Sequence, residues 1–142
     1  MNRFGGTVLG LVLAFALTSA GRADTGEPGL FGLWRNPKDT VHVEIRNCGP
    51  SACGVVVWAS PKAKQAARKG SGKELVGLQI LRDFARRGDD IWRGSVFVPD
   101  LNLTLSGTAR LVDEDRLEAK GCLVGGLFCK SQVWYRLNGS PG

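Results

Sequence analysis

Apolar and polar residues alternate along most of the chain after residue 30, and this alternation predicts β-strands. In residues 40–46, Val41, Val43 and Ile45 occupy one face and polar side chains occupy the other. A period of two is typical of a strand with one face in the protein core and one face in water. Residues 103–111 repeat the pattern over a longer stretch. We therefore expect an antiparallel sheet.

Eight such segments follow one another, joined mostly by short runs of turn-forming residues. This spacing predicts an all-β domain, an eight-stranded antiparallel up-and-down barrel, in which sequence neighbours pair as hairpins and closure removes exposed edges. The predicted strands are residues 30–35, 40–46, 54–59, 75–84, 91–98, 103–111, 116–122 and 130–137.

The segment after the third predicted strand, residues 60–73, breaks the alternation. It opens with Ser-Pro and ends with Gly-Ser-Gly, which predicts one short helix or a basic loop. The third strand is apolar on both faces, so we expect this segment to cover Trp58. It is also the most basic region of the chain, a basic patch formed by Lys62, Lys64, Arg68, Lys69 and Lys73.

The N-terminal residues have a different pattern from the barrel. Arg3 precedes an uncharged stretch, residues 4–17, and small residues continue to Ala23. This is the pattern of a secretory signal peptide, and the uncharged stretch is shorter than the roughly 20 residues of a membrane-spanning helix. We expect cleavage after Ala23, with Ala20 as the alternative, and a periplasmic or secreted chain without a transmembrane segment. The expected organisation is a signal peptide (1–23), a flexible lead (24–29), a single barrel domain (30–138) and a flexible tail (139–142).

Net charge and composition limit the classes of partner that the chain is expected to bind. The formal net charge of +6 falls to +4 in the mature chain, because Arg3 and Arg22 leave with the signal peptide. The basic patch is either a solvated surface or a site for an anionic partner. No aromatic residue interleaves its charges, which argues against nucleic acid.

Four cysteines in an exported chain predict disulfides. Three pairings are open, but proximity favours Cys48 with Cys53 and Cys122 with Cys129, because each pair brackets a turn-forming segment. A zinc site is the competing interpretation. The intervals of four and six residues are wider than the usual spacing of structural zinc ligands.

Residues with catalytic chemistry are few. The single histidine, His42, lies on the polar face of the second strand beside Glu44 and Arg46, where a solvated role fits better than a base or a ligand. The acidic groups at 89–90 and 113–115 fall at hairpin tips, without the spacing of a calcium loop or a glycosidase pair. We therefore predict no catalytic residue, no metal, no cofactor and no enzymatic activity.

Two motifs predict how the barrel closes. Trp34 follows Gly32 in the first strand, and Arg136 follows Trp134 in the last strand. Closure brings these strands together, so we expect the guanidinium of Arg136 to stack on the Trp34 ring, a contact worth ~1 to 2 kcal/mol when desolvated.

Several segments together resemble the bacterial family known as domain of unknown function 2147. The resemblance implies a periplasmic or secreted β-barrel and no established activity. The two end motifs also resemble the lipocalin architecture. The segments that carry the resemblance are Gly32-Leu33-Trp34, residues 45–54 (IRNCGPSACG), residues 75–81 (LVGLQIL), residues 92–94 (WRG) and residues 121–134 (GCLVGGLFCKSQVW).

Three functional hypotheses follow. The first is a binding module for a small apolar ligand or envelope component, although a mature chain of 119 residues favours a filled interior. The second is an envelope interaction protein that uses the basic patch and exposed aromatics (Trp58, Phe97, Trp134) to bind a partner or an anionic membrane surface. The third is a weak hydrolase. The expected ligand-lining residues are Val43, Val57, Trp92, Val96, Leu105 and Tyr135.

Overall fold

The structure is a computed structural model that describes residues 29–88, 90–123 and 126–138. The predicted signal peptide, nearly all of the lead and the tail at 139–142 lie outside these residues. The elements in chain order are β1 (Gly32–Arg35), β2 (Val41–Asn47), β3 (Ala52–Ala59), α1 (Pro61–Ser71), β4 (Gln79–Arg87), β5 (Ile91–Val98), β6 (Leu103–Asp113), β7 (Arg116–Cys122) and β8 (Cys129–Arg136).

The eight strands form one closed antiparallel barrel. Each strand pairs with its neighbour in sequence, and β1 pairs with β8 through Trp34 opposite Arg136 and Arg35 opposite Tyr135. The predicted up-and-down barrel with one short helix after the third strand is confirmed. In the part of the chain that the structure describes, no helix combines the length and the apolar character needed to cross a bilayer.

Both disulfides close local hairpins. Cys48 forms a disulfide with Cys53 across the β2–β3 turn. Cys122 forms a disulfide with Cys129, and these two residues are the last pair of the β7–β8 hairpin before its turn. Gly49 and Gly126 take positive φ values of 85° and 75° in these two turns, a conformation that glycine adopts without steric cost. The predicted pairing is confirmed, and the zinc alternative is excluded because all four sulfurs are in disulfides.

Two glycines make room for the buried ring of Phe84. Gly94 and Gly107 stand opposite each other on β5 and β6, and Phe84 of β4 is buried beside them. A Cβ at Gly94 would lie 2.5 Å from Phe84 Cδ2, and a Cβ at Gly107 would lie 3.0 Å from Phe84 Cζ. The inner face of β6 is therefore small where a facing side chain needs the space.

Trp34 seals one end of the barrel. Its side chain is fully buried, at 0 % exposure, and its Nε1 donates a hydrogen bond of 2.9 Å to the carbonyl oxygen of Leu30. The guanidinium carbon of Arg136 lies 4.2 Å from the centroid of the Trp34 ring. The structure thus brings together the two side chains that the end motifs single out.

Arg136 links three parts of the chain at this closed end. Its guanidinium donates to the carbonyl oxygens of Glu114 (2.6 Å), Phe31 (3.0 Å) and Gly29 (2.8 Å). Burial lowers the pKa of Arg136, and the carboxylates of Asp115 and Glu114 oppose that shift. The desolvated cation is therefore compensated by backbone carbonyls, an aromatic face and nearby negative charge.

The fourth strand begins later than the alternation predicts. Residues 75–78 form a loop, and the strand begins at Gln79. Leu75 is buried, and the Val56 N–H donates to the carbonyl oxygen of Leu78 at 3.0 Å. The apolar spacing in this segment therefore reflects a loop packed against β3, and the prediction of a strand over residues 75–84 is wrong at its start.

The prediction that residues 60–73 cover Trp58 is also wrong. Trp58 is 42 % exposed, and its ring packs on His42 with 4.5 Å between the ring centroids. The imidazole Nε2 of His42 lies 2.6 Å from a carboxylate oxygen of Asp39. The helix does not lie on the outer face of β3, because its apolar side chains face the end of the barrel instead.

We expect Arg136→Met to destabilise the barrel by about 2 kcal/mol or more, because it leaves three carbonyl oxygens without their charged donor. Arg35→Met is the matched control, since that guanidinium stacks on Tyr135 outside the barrel, 4.9 Å from the ring centroid, and should contribute less than ~1 kcal/mol. Urea unfolding followed by tryptophan fluorescence measures both. Equal losses in the two variants would contradict this account of the closed end.

Candidate ligand-binding cavity

A cavity of about 610 Å³ lies inside the barrel, and its lining runs from Trp34 at the closed end to the loops that follow β1, β3 and β5. An up-and-down topology places these loops at one end of the barrel, which we call the mouth. The volume lies in the range of ~300 to 1,000 Å³ typical of small-molecule sites. The expectation of a filled interior describes the closed end, where Trp34, Val43 and Ile45 are almost fully buried, but it leaves out the cavity that reaches the mouth.

The walls of the cavity are apolar and partly built from small side chains. Ala109 of β6 and Ala119 of β7 stand directly opposite each other, and both line the cavity. Two facing alanines leave volume that larger residues would occupy, which contributes to the cavity. The apolar residues that line the deeper part include Val43, Ile45, Ile80, Val96, Leu105, Leu117 and Trp134.

Half of the predicted lining residues reach the cavity. Val43, Val96 and Leu105 line it, because each lies on the inner face of its strand. The other three predicted lining residues do not line it. They are Val57, Trp92 and Tyr135.

Each of these three residues is absent from the lining for a local reason. Val57 lies at a register shift between β2 and β3, where the inward and outward alternation is interrupted. Trp92 packs edge-on against Phe31, with ring centroids 5.9 Å apart, and belongs to the core around the closed end. Tyr135 follows the inward-facing Trp134, so it lies on the outer face of β8.

The inner face of β8 changes from aromatic to charged toward the mouth. Trp134, Gln132 and Lys130 all line the cavity and are spaced by two residues, so they share one face. Sequence reasoning missed Lys130 and Gln132. Counting back in steps of two from Trp134 would have found them.

Two further lysines line the mouth. Lys38 lies in the β1–β2 loop, and Lys62 lies in the first turn of α1. Lys38 was missed because a loop residue carries no periodic signal. Asp100 of the β5–β6 turn is the acidic residue among the described residues that line the cavity.

Helix α1 forms because both ends are capped. The Ser60 side chain accepts a hydrogen bond of 3.2 Å from the Ala63 N–H, and Pro61 follows as the first helical residue. Gly72 takes a left-handed conformation at the C-terminus, where its N–H donates to the Arg68 carbonyl at 2.8 Å. The small face of the helix (Ala63, Ala66, Ala67) lines the cavity near the mouth.

The predicted basic patch does not act as one surface. Lys62 lines the cavity, whereas Arg68 forms a bidentate ion pair with Glu74, with N–O distances of 2.7 and 2.9 Å. That hydrogen bond lowers the pKa of Glu74 and raises the pKa of Arg68. The remaining patch residues, Lys64, Lys69 and Lys73, do not line the cavity.

The exposed aromatics predicted for an exterior surface are only partly exposed. Trp58 is exposed, but Phe97 is 7 % exposed and has the guanidinium of Arg82 over its ring at 5.2 Å. Trp134 lines the cavity. The predicted aromatic exterior is therefore reduced to Trp58.

Comparisons with known proteins agree with this architecture. A family model described as "Uncharacterized protein conserved in bacteria (DUF2147)" matches residues 32–136. Among solved structures, the chain is similar to protein HP1028 from Helicobacter pylori, described as belonging to the lipocalin family. The two share 17 % identity and a TM-score of 0.64 over 77 % of this chain and 83 % of that one. No curated protein matches the chain significantly. The predicted resemblance to the family and to the lipocalin architecture is confirmed.

We expect Gly70→Ala to destabilise the protein by about 1 to 3 kcal/mol, because a Cβ on Gly70 would overlap the backbone carbonyl of Asp100 in the β5–β6 turn. Alanine is the better helix former by about 1 kcal/mol, so without this contact the variant would gain stability. Lys69→Ala, at an exposed neighbour, is the control. A gain in the free energy of unfolding for Gly70→Ala would show that the helix does not rest on this turn.

Proposed function

The chain belongs to the DUF2147 family of bacterial proteins, and we propose that it is an exported, non-catalytic binding protein whose barrel holds one small apolar molecule. The observation that carries this proposal is the mainly apolar cavity of about 610 Å³ inside the barrel. A lipocalin-like barrel is compatible with this role, although a shared fold does not by itself assign a function.

The physical basis for binding is the apolar wall around the open part of the cavity. Side chains that face an empty space lose the dispersion contacts that a packed core would provide. An apolar ligand supplies those contacts and removes its own surface from water, which contributes about 0.8 kcal/mol for each buried methylene group. Trp34 seals the opposite end, so the ligand enters at the mouth.

Export is the second part of the proposal. The uncharged stretch at residues 4–17 has the character of a signal peptide, and two disulfides are typical of an oxidising compartment. Such a protein would meet its ligand in the periplasm or outside the cell.

Protein isolated from the exported fraction should begin at Asp24. Intact-mass spectrometry before and after reduction and alkylation measures both the N-terminus and the number of oxidised cysteines. Alkylation of the four cysteines should require prior reduction. A mass that retains residues 1–23, or cysteines that react without reduction, would contradict export to an oxidising compartment.

Filling the cavity should abolish binding while leaving the barrel folded. We expect Ala119→Trp to weaken the binding of the neutral apolar dye Nile red by about tenfold or more, because the indole occupies the ligand's volume. Ser131→Trp adds the same ring on the outer face of β8 and should bind the dye normally. Fluorescence titration measures affinity, and circular dichroism checks the fold. Equal affinity in the two variants would place the dye outside the barrel and overturn the proposal.

A further inference from the structure

We infer that the bound molecule is an anionic amphiphile, with a carboxylate or similar head at the mouth and an apolar tail inside the barrel. This inference rests on the proposed function and adds the chemical class of the ligand to it. Three observations carry it: a polarity gradient along β8, three lysines around one opening, and the absence of charge from the deep lining.

The gradient along β8 follows the direction in which a ligand would enter. Trp134 stands opposite Leu117, Gln132 opposite Ala119 and Lys130 opposite Gly121. Lys130 and Trp134 are four residue steps apart along the strand, which corresponds to roughly 13 Å. A molecule that matches the series is apolar beside Trp134, becomes polar beside Gln132 and is anionic beside Lys130.

The lysines come from three different elements and meet at the same opening. Lys38 belongs to the β1–β2 loop, Lys62 to α1 and Lys130 to β8, and all three line the cavity. Lys120 also borders the cavity, but its side chain lies on the outer face of β7. Its neighbours Ala119 and Gly121 face inward, and its partner on β8 is the outward-facing Ser131.

The three mouth lysines carry charge that the protein does not neutralise. Among the described residues, none of them takes part in an ion pair, whereas Arg68, Arg110 and Arg116 each have a carboxylate partner. Three lysines and Asp100 leave a formal charge of +2 around the opening. A cleft lined by one sign of charge between apolar walls concentrates the field and attracts the opposite charge.

The deep lining fixes the orientation of such a ligand. From Trp34 up to Ala119 and Trp134, the described residues that line the cavity are apolar. A carboxylate placed there would lose its hydration without gaining a partner, which is strongly unfavourable. The head therefore stays at the mouth, beside the amines, and the tail enters the barrel.

Three probes with the same tail and different heads test this inference on the mature full chain. They are dodecanoate, 1-dodecanol and dodecyltrimethylammonium, each kept below its micelle concentration, with affinity measured by displacement of Nile red. We expect dodecanoate to bind about tenfold or more tightly than dodecanol, and the cationic probe to bind most weakly. Raising the salt concentration should reduce this preference, because the mouth lysines are exposed to solvent.

Two triple variants with the same total charge separate the mouth from the rest of the basic surface. Lys38→Gln, Lys62→Gln and Lys130→Gln together should abolish the preference for dodecanoate over dodecanol. Lys64→Gln, Lys69→Gln and Lys73→Gln remove three cations outside the cavity lining and should keep the preference.

The outcomes distinguish this inference from the proposed function. If neither the dye nor any dodecyl probe binds, the proposed binding function fails. If the three probes bind equally, or if the preference persists in the mouth variant, the head-group inference alone is overturned. A preference lost only in the control variant would assign the attraction to the outer surface of α1, and this result would also overturn it.

Discussion

Closure of the sheet between β1 and β8 is the constraint on which the rest of the structure depends. The seam is short, since only two register pairs join the strands, and one of them is Trp34 with Arg136. The same arginine donates to the carbonyls of Gly29 and Phe31 before β1 and of Glu114 in the β6–β7 turn, and the Leu137 N–H donates to the Leu33 carbonyl at 2.9 Å. Side-chain contacts therefore reinforce the part of the barrel with the fewest ladder bonds. An open seam would expose the apolar inner faces of all eight strands to water.

The positively charged side chains at the two ends of the barrel have opposite environments. At the closed end a single guanidinium is partly desolvated, and three carbonyl oxygens and an aromatic face compensate it. At the mouth, lysines remain hydrated and have no carboxylate partner among the described residues. The first arrangement stabilises the fold and leaves no capacity for a ligand. The lysines at the mouth contribute little to stability. Their mutual repulsion is reduced when an anion binds between them.

The sequence predicts the barrel because a period of two in the side chains is a local property of each strand. It also predicts the local disulfides and the Trp34–Arg136 contact, since both follow from which strands are neighbours. The hollow interior was not predictable in the same way. It depends on Ala109 facing Ala119, and such a pairing is known only once the register is known. The alternation also places Val57 in the lining. The register shift that removes it from the cavity is not visible in the sequence.

Helix α1 shows how the fold keeps stability and binding on separate residues. Its capping groups, Ser60 and Gly72, determine where the helix begins and ends, and Gly70 determines how closely it approaches the β5–β6 turn. Its alanine face borders the cavity, whereas Lys62 borders the opening. Changing a lysine at the mouth therefore removes a charge without removing a cap or a packing contact. Because the groups that close the barrel lie at the opposite end, the selectivity of the mouth can vary while the scaffold that supports it stays intact.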